Sequence, residues 1–245
     1  MVYCRVAKEN IMAPAVRRRF RKPARSRHSV SVSQEDYLKT IYKVELDLHE
    51  PISARISEAL NVTPPAVTAA LKRMARDGLV KLESKYGRIR LTPRGRAVAQ
   101  SLVLRHRLVE KLLTEVLGMD WKAVHEEAEK MEHAISKEVE RRLLKFFGRD
   151  SSCPHGYPLF GGLIKLRRQG ARPLAEARPG QKLRVVQVDE REYAFLEFLD
   201  QLGLRPGTEI RALEKTFDET MTLAVGLRHH HVGKSTLERI WVKPA

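Results

Sequence analysis

The nine residues His-Glu-Glu-Ala-Glu-Lys-Met-Glu-His, 125 to 133, concentrate side chains able to hold a divalent cation. In helical register His125, Glu129, Glu132 and His133 fall at i, i+4, i+7 and i+8, which is one stripe of a helix. An apolar stripe runs one position earlier, through Val124, Ala128, Met131 and Ile135, so the metal-competent groups border a buried seam. Imidazole with carboxylate is the donor set of a borderline-to-hard divalent ion. The same pattern also describes a solvated charged flank of an amphipathic helix, and the spacing alone leaves both readings open. Cys153 and His155 lack the second ligand pair of a structural zinc site and read as part of a loop. His229, His230 and His231 read as surface decoration.

The elements that must position this stripe belong to a strongly basic chain. The 245 residues carry 46 Lys+Arg against 30 Asp+Glu, a formal net charge of +16, which points to a polyanionic partner, nucleic acid before an anionic membrane surface. Half of that excess lies in residues 1–30, where nine basic side chains stand against Glu9 alone. That segment lacks periodicity and reads as a disordered basic arm. No apolar run is long enough to span a bilayer and no secretory leader is recognisable, so no membrane partner is expected. With Cys4 and Cys153 as the only cysteines, a disulfide framework is not expected and a cytoplasmic location is.

Past the arm, Tyr37, Leu38, Ile41 and Tyr42 keep helical spacing, with Ser33 and Asp36 available as a capping box. Ile52 to Leu60 reads as a short amphipathic helix, Asn61 to Thr63 as a turn, and Pro64-Pro65 as the start of a second helix ending at Asp77-Gly78. Leu79 to Pro93 alternates about Tyr86-Gly87, as a two-stranded wing does. Helix, helix–turn–helix and hairpin is the winged-helix order. Two long helical stretches follow, Arg94–Leu117 and Trp121–Phe147, joined at Gly118. Residues 151–172 read as an irregular linker. From residue 173 two Pro-Gly turns lead into alternating strands, and further short strands with a helix over Glu192–Leu202 are enough for a small barrel.

Four motifs, Glu-Asp-Tyr-Leu-Lys-Thr-Ile-Tyr (35–42), Arg-Met-Ala-Arg-Asp-Gly-Leu-Val (73–80), Arg-His-Arg-Leu-Val-Glu-Lys-Leu-Leu (105–113) and Glu-His-Ala-Ile-Ser-Lys-Glu-Val-Glu-Arg-Arg-Leu (132–143), carry a further expectation. With them the chain resembles the diphtheria-toxin-repressor and manganese-transport-regulator family of metal-dependent transcription repressors. The resemblance covers all but the arm. It implies a mainly α protein with a small β part: a winged helix-turn-helix domain over 31–100, a helical metal-binding and dimerisation domain over 101–150, and an SH3-like β-barrel of the ferrous-iron-transport-A kind over 173–245. It implies a homodimer on a palindromic double-stranded DNA operator and no enzymatic role.

Residue by residue, the resemblance implies a primary metal site of Asp36, Glu129, Glu132 and His133. An ancillary site follows on His106, Glu110 and His125, with Gln187 and Glu190 as donors from the third domain. Iron-type members have Met and Cys where this chain has Asp36 and Glu129. Hard oxygen at both positions favours Mn²⁺ over Fe²⁺. Lys39 departs from the manganese pattern, which can place a carboxylate there, and His125 is an iron-type feature. For DNA, the exposed start of the second helix offers Thr63, Pro65, Ala66, Thr68 and Ala69 to base edges, with Arg55, Lys72, Arg73, Arg76 and Arg88 for phosphates. The rivals are a metal-independent winged-helix regulator and, further off, a metallohydrolase, for which no general base stands out.

Overall fold

Residue-level packing explains most of the expected elements and corrects several. The computed structural model describes residues 30–83 and 87–245, so the arm expected over 1–30 (but for Val30) and the wing-tip Tyr86 lie outside the described residues. Helix α1 (Val32–Leu46) is capped by Ser31 with Gln34 in a reciprocal capping box, rather than by Ser33 with Asp36. Asp36 is thereby free to point elsewhere. The helix's face of Leu38 and Ile41 is completely buried. Helix α2 (Ser53–Leu60) stops where Asn61 adopts the left-handed conformation at φ 50°, and α3 (Pro64–Arg76) starts on two prolines. Strands β1 (Val80–Glu83) and β2 (Arg88–Leu91) pair antiparallel, Val80 opposite Leu91, completing a winged helix.

Helix α4 (Pro93–Lys111) is the longest among the described residues, at 19 residues, and runs into a π-helical turn, Leu112–Val116, before Gly118 reverses the chain at φ +68°. The next expected stretch, Trp121–Phe147, is not one helix. Helix α5 (Val124–Met131) tightens to a 3-10 turn over Glu132–Ala134, Ile135 is extended, and α6 (Lys137–Phe147) begins afresh under a Ser136 cap that accepts from the Val139 amide. Ser136 offers its own hydroxyl to the amides that would otherwise continue the helix, so the break is built into the sequence.

Residues 151–172, expected as an irregular linker, pack instead against the helices and the last domain. Helix α7 (Leu163–Arg168) forms inside the segment, and Cys153, Tyr157, Leu163, Leu166, Ala171 and Trp241 make a small core of their own. The third domain is a six-stranded antiparallel sheet with strand order β3-β8-β4-β5-β6-β7. Its strands are β3 (Arg172–Pro173), β4 (Lys182–Val188), β5 (Glu209–Lys215), β6 (Met221–Val225), β7 (Arg228–Val232) and β8 (Ile240–Pro244). Helix α8 (Tyr193–Gln201) lies between β4 and β5, and the one-turn α9 (Lys234–Leu237) between β7 and β8. Bulges at Val185/Gln187 and Ala212/Glu214 bend the sheet around a core that includes Val185, Leu196, Leu223 and Val242. His229 to His231 sit within β7, and each pairs across to β6.

Trp121, from the helical half of the chain, joins that third-domain core, and its Nε1 donates to Asp200 Oδ1 at 3.3 Å. The 153–157 loop reaches the sheet from the other side: Val188 N donates to His155 O at 3.0 Å. Gly156 makes this approach possible. At φ +89° a Cβ there would sit 2.0 Å from Val186 O, which no side chain tolerates.

Candidate metal centre

In the primary set, α1 contributes Asp36 and the 3-10 turn contributes Glu132 and His133. The three offer ligand atoms within 4.8 Å of one another. His133 Nδ1 lies 2.7 Å from Glu35 Oε2, while its Nε2 faces Asp36 Oδ1 at 3.0 Å and Glu132 Oε1 at 3.7 Å; with Nδ1–H donated to Glu35, Nε2 is the nitrogen that would ligate a metal. A carboxylate on the far nitrogen is how proteins fix the tautomer of a ligating histidine. Glu35 is thus an orienting residue that spacing did not reveal. Glu129, expected in this set, is turned away. Its Oε1 accepts from Lys39 Nζ at 2.9 Å and its side chain is 52% exposed. Burial pushes its pKa up, but the Lys39 ammonium prevails and lowers it to about 2.

Glu132 links the two halves of the centre. Its side chain is 1% exposed; Oε2 accepts from His106 Nδ1 at 2.6 Å, while Lys39 Nζ contacts both oxygens at 2.7 and 2.9 Å. Burial raises its pKa, but His106 and Lys39 prevail and hold it below the ordinary carboxylate value. Burial opposes protonation of the His106 ring, but the Glu110 charge prevails and raises its pKa. His106 Nδ1 donates to Glu132, and its Nε2 lies 3.0 Å from Glu110 Oε1 and 2.9 Å from His125 Nδ1.

Around that nitrogen lies the second cluster. His106, Glu110, His125 and Glu190 bring ligand atoms within 4.8 Å, and so do Glu110, Cys153, His155 and Glu190. The two groups share both carboxylates, so they are one continuous polar chamber. Glu110, on α4, is completely buried, and Glu190, in the turn after β4, is 5% exposed. Burial alone would raise both pKa values; His106 and His155 hold Glu110 well below the ordinary value, and Lys43 does the same for Glu190.

Cys153 and His155, expected to be a plain loop, are walls of this chamber. His155 is fully buried and its Nε2 donates to Trp121 O at 2.8 Å, which leaves Nδ1 facing Glu110 Oε1 (3.4 Å) and Glu190 Oε2 (3.5 Å), where a cation would take the place of the Nδ1 proton. Burial opposes protonation of His155, yet Glu110 and the neighbouring Cys153 and Glu190 raise its pKa well above the usual histidine value. The Cys153 thiol is pushed up to about 12, by burial first and the Glu110 charge second.

Three buried atoms of this chamber, Glu110 Oε2, His155 Nδ1 and Glu190 Oε2, have no hydrogen-bond partner among the described residues, and neither does Gln187 Oε1. Such orphans are costly in a folded protein unless something satisfies them. Two buried carboxylates converging on imidazole nitrogens, whose protons a cation can displace, make a nitrogen–oxygen donor set that fits a divalent metal. Gln187 itself is 2% exposed on β4.

On the winged helix, Arg55, Thr63, Pro65, Ala66, Thr68, Ala69, Lys72, Arg73 and Arg76 are all exposed, most of them along α3, where Val67, Ala70, Leu71 and Met74 face inward. Thr68 Oγ1 donates back to Pro64 O at 3.0 Å. Arg88 at the wing is half-buried and ion-paired with Glu50, whose backbone carbonyl accepts from Arg55. His231 Nδ1 lies 3.1 Å from Thr222 Oγ1, across the sheet from β6.

Known proteins share this arrangement of domains. Residues 29–87 match the iron dependent repressor N-terminal DNA binding domain, residues 92–161 the iron dependent repressor metal binding and dimerisation domain, and residues 172–244 the FeoA domain. The diphtheria toxin repressor of Corynebacterium diphtheriae is 37% identical over 192 residues, covering 74% of this chain and 84% of that protein. The iron-dependent repressor IdeR of Mycobacterium leprae is 40% identical over 154 residues, 63% of this chain and 65% of that one. Among solved structures, a manganese-dependent transcriptional repressor in complex with manganese superposes with TM-score 0.74 at 26% identity, over 86% of this chain and 100% of that one. The IdeR of T. acidophilum gives TM-score 0.69 at 29% identity, over 89% and 99%.

Proposed function

The chain belongs to the iron-dependent repressor family of metal-dependent transcriptional repressors, and on that premise we propose that it is a Mn²⁺-responsive homodimer that represses metal-uptake genes. In this reading Asp36, Glu132 and His133, joined by Glu129 once it leaves Lys39, hold one ion. His106, Glu110, His125 and Glu190, with Cys153 and His155 on the far wall, hold a second. The observation that carries the reading is the set of three imidazoles, on His133, His106 and His155. Each has one nitrogen committed to an orienting acceptor and the other aimed at carboxylates. The bound ions supply the positive charge that lets these carboxylates converge, and so tie α1 to the 3-10 turn and the third domain to α4.

Metal preference follows from the donors. The primary set is all nitrogen and oxygen, with no sulfur, which suits Mn²⁺ better than a soft ion. Cys153 gives the second chamber a soft corner, so the chamber accepts Fe²⁺ or Zn²⁺ more readily than the primary set does.

Dimerisation falls to α6, none of whose residues is fully buried although Val139 and Phe146 are 40% and 71% exposed. The exposed face of α3, together with small readers rather than long ones, favours contact with thymine methyl groups and readout of operator shape over bidentate base pairing. Among the described residues no helix is long and apolar enough to cross a membrane. Operator binding titrated with Mn²⁺, Fe²⁺ and Zn²⁺ under anaerobic conditions tests the reading. Binding that ignores all three ions in a chelator-treated protein overturns it in favour of a metal-independent regulator.

A further inference from the structure

Helix α1 carries two lysines one turn apart, Lys39 and Lys43, and each is inserted into a different acidic cluster of the metal centre. Lys39 Nζ lies 2.9 Å from Glu129 Oε1 and 2.7 and 2.9 Å from the two oxygens of Glu132, with its side chain 8% exposed. Lys43 Nζ lies 2.8 Å from Glu190 Oε1, where the glutamate side chain is 4% exposed. Positions i and i+4 share a helix face, so a single element delivers both ammonium groups. An ammonium is a compact, strongly hydrated charge on a flexible stem, and burying one is unfavourable unless anions surround it. Here the surrounding anions are the carboxylates that the metal reading needs as ligands.

We propose that Lys39 and Lys43 are resident counter-cations: they neutralise the two clusters before metal enters, and they must leave for Glu129, Glu132 and Glu190 to take up ions. The inference rests on the metal-centre reading above. Three geometric facts support it. Glu129 lies outside the Asp36–Glu132–His133 group while its Oε1 accepts from Lys39, so it joins that group only by giving up the lysine. Lys39 addresses both oxygens of Glu132, so a metal on that carboxylate competes with the ammonium at close range, where like charges repel strongly in a screened-off site. The lysine stems are long enough to swing outward, and Lys43 is already 23% exposed.

The consequence is that metal threshold and helix release become one event. With both lysines seated, α1 is pinned through its own charges to α5, to the 3-10 turn and to the turn after β4. With both ejected, Asp36 and Glu35 remain to connect α1 to the centre. Because α1 packs directly against α2 and contacts β2, its position reaches the DNA-binding face.

Amine labelling reads the proposal directly. The full-length protein is treated with an acylating reagent in chelator and in saturating Mn²⁺, with Mn²⁺ occupancy followed separately by electron spin resonance, and each lysine is quantified by mass spectrometry. The expected result is protection of Lys39 in chelator and an increase in its labelling with Mn²⁺, with Lys43 following as the second equivalent binds. Lys39→Met, and Lys39→Gln as a second variant in case the first fails to fold, should bind the first Mn²⁺ tighter by on the order of tenfold, since a competing charge has been removed. If Mn²⁺ binds but Lys39 stays protected, or if both variants bind Mn²⁺ more weakly than the parent, the lysines are permanent parts of the site and the proposal is overturned alone. If the parent binds no Mn²⁺, the metal reading falls and takes the proposal with it.

Discussion

Replacing Glu132 by alanine separates what this carboxylate does for the fold from what it does for a metal. Its side chain is 1% exposed and accepts from Lys39 at 2.7 and 2.9 Å and from His106 at 2.6 Å. Truncation leaves Lys39, itself 6% exposed, with the half-exposed Glu129 as its remaining close carboxylate. Breaking a buried ion pair from one side costs about 3–5 kcal/mol, and the surviving Glu129 contact puts this case near the lower end, ~3 kcal/mol. For a chain of this size each kcal/mol moves Tm by about 2–4 °C, so melting in chelator should fall by about 6–12 °C. Lys39→Met alone should cost less, because Glu132 keeps its His106 donor. The double variant Lys39→Met, Glu132→Ala removes both charges of the pair and should recover part of the loss. Chelator melts of the four proteins form a double-mutant cycle in which the coupling is expected to exceed about 1 kcal/mol. If Glu132→Ala melts with the parent, or the double variant loses the plain sum of the singles, the buried pair contributes nothing and the reasoning fails.

His133→Ala should abolish the Mn²⁺ response of operator binding at a stability cost under about 1 kcal/mol, because its partners Glu35 and Asp36 are partly exposed; a variant that still responds like the parent removes His133 from the ligand set. Cys153 must lose a proton held by a pKa of about 12 before its sulfur can ligate, so metal uptake in the second chamber should release a proton and strengthen as pH rises. Cys153→Ser should reduce that release, measured by calorimetry in two buffers, and move preference from Zn²⁺ toward Mn²⁺; equal proton release in both proteins excludes the thiolate. Asp47 has its pKa raised to about 6, by burial first and the Glu190 and Asp189 charges against the pull of Lys43. A carboxyl that binds its proton more tightly folded than unfolded favours the fold at low pH. That benefit fades as pH climbs from about 4 through 6, so Asp47→Asn should gain on the parent across that window by about 3 kcal/mol; denaturant titrations that stay parallel contradict the assignment. Removing residues 1–30, with their net +8, should flatten the salt dependence of non-specific DNA binding, each phosphate no longer neutralised taking about 0.9 from the log–log slope; an unchanged slope denies the arm a role on DNA.

Legibility in the sequence divides along the range of the interactions involved. His106 with Glu110, and the stripe from His125, can be found by spacing, because i,i+4 geometry is local and a helix enforces it. The break after Met131 is legible too, in Ser136, but a long amphipathic pattern hides it, and the 3-10 turn it allows is what swings Glu132 under Lys39 and His133 toward Asp36. Glu190 comes only from resemblance, since nothing local in a strand-end glutamate announces that β4 will carry it into a chamber built on α4 and α5. Cys153 and His155 stay hidden because no ligand pair lies near them in the chain; their partners, Glu110 and Glu190, arrive from two other elements. A signal does exist: Gly156, whose φ of +89° and missing Cβ let the loop press onto Val186, marks a backbone held against a sheet rather than one left in solvent. Lys39 shows the same limit from the other side. As a residue type it reads as a departure that weakens a manganese site; as a placed ammonium, bonded to Glu129 and Glu132, it becomes the group against which the metal must compete. The chemistry of this centre is therefore decided less by which donors the chain possesses than by which of them are already occupied.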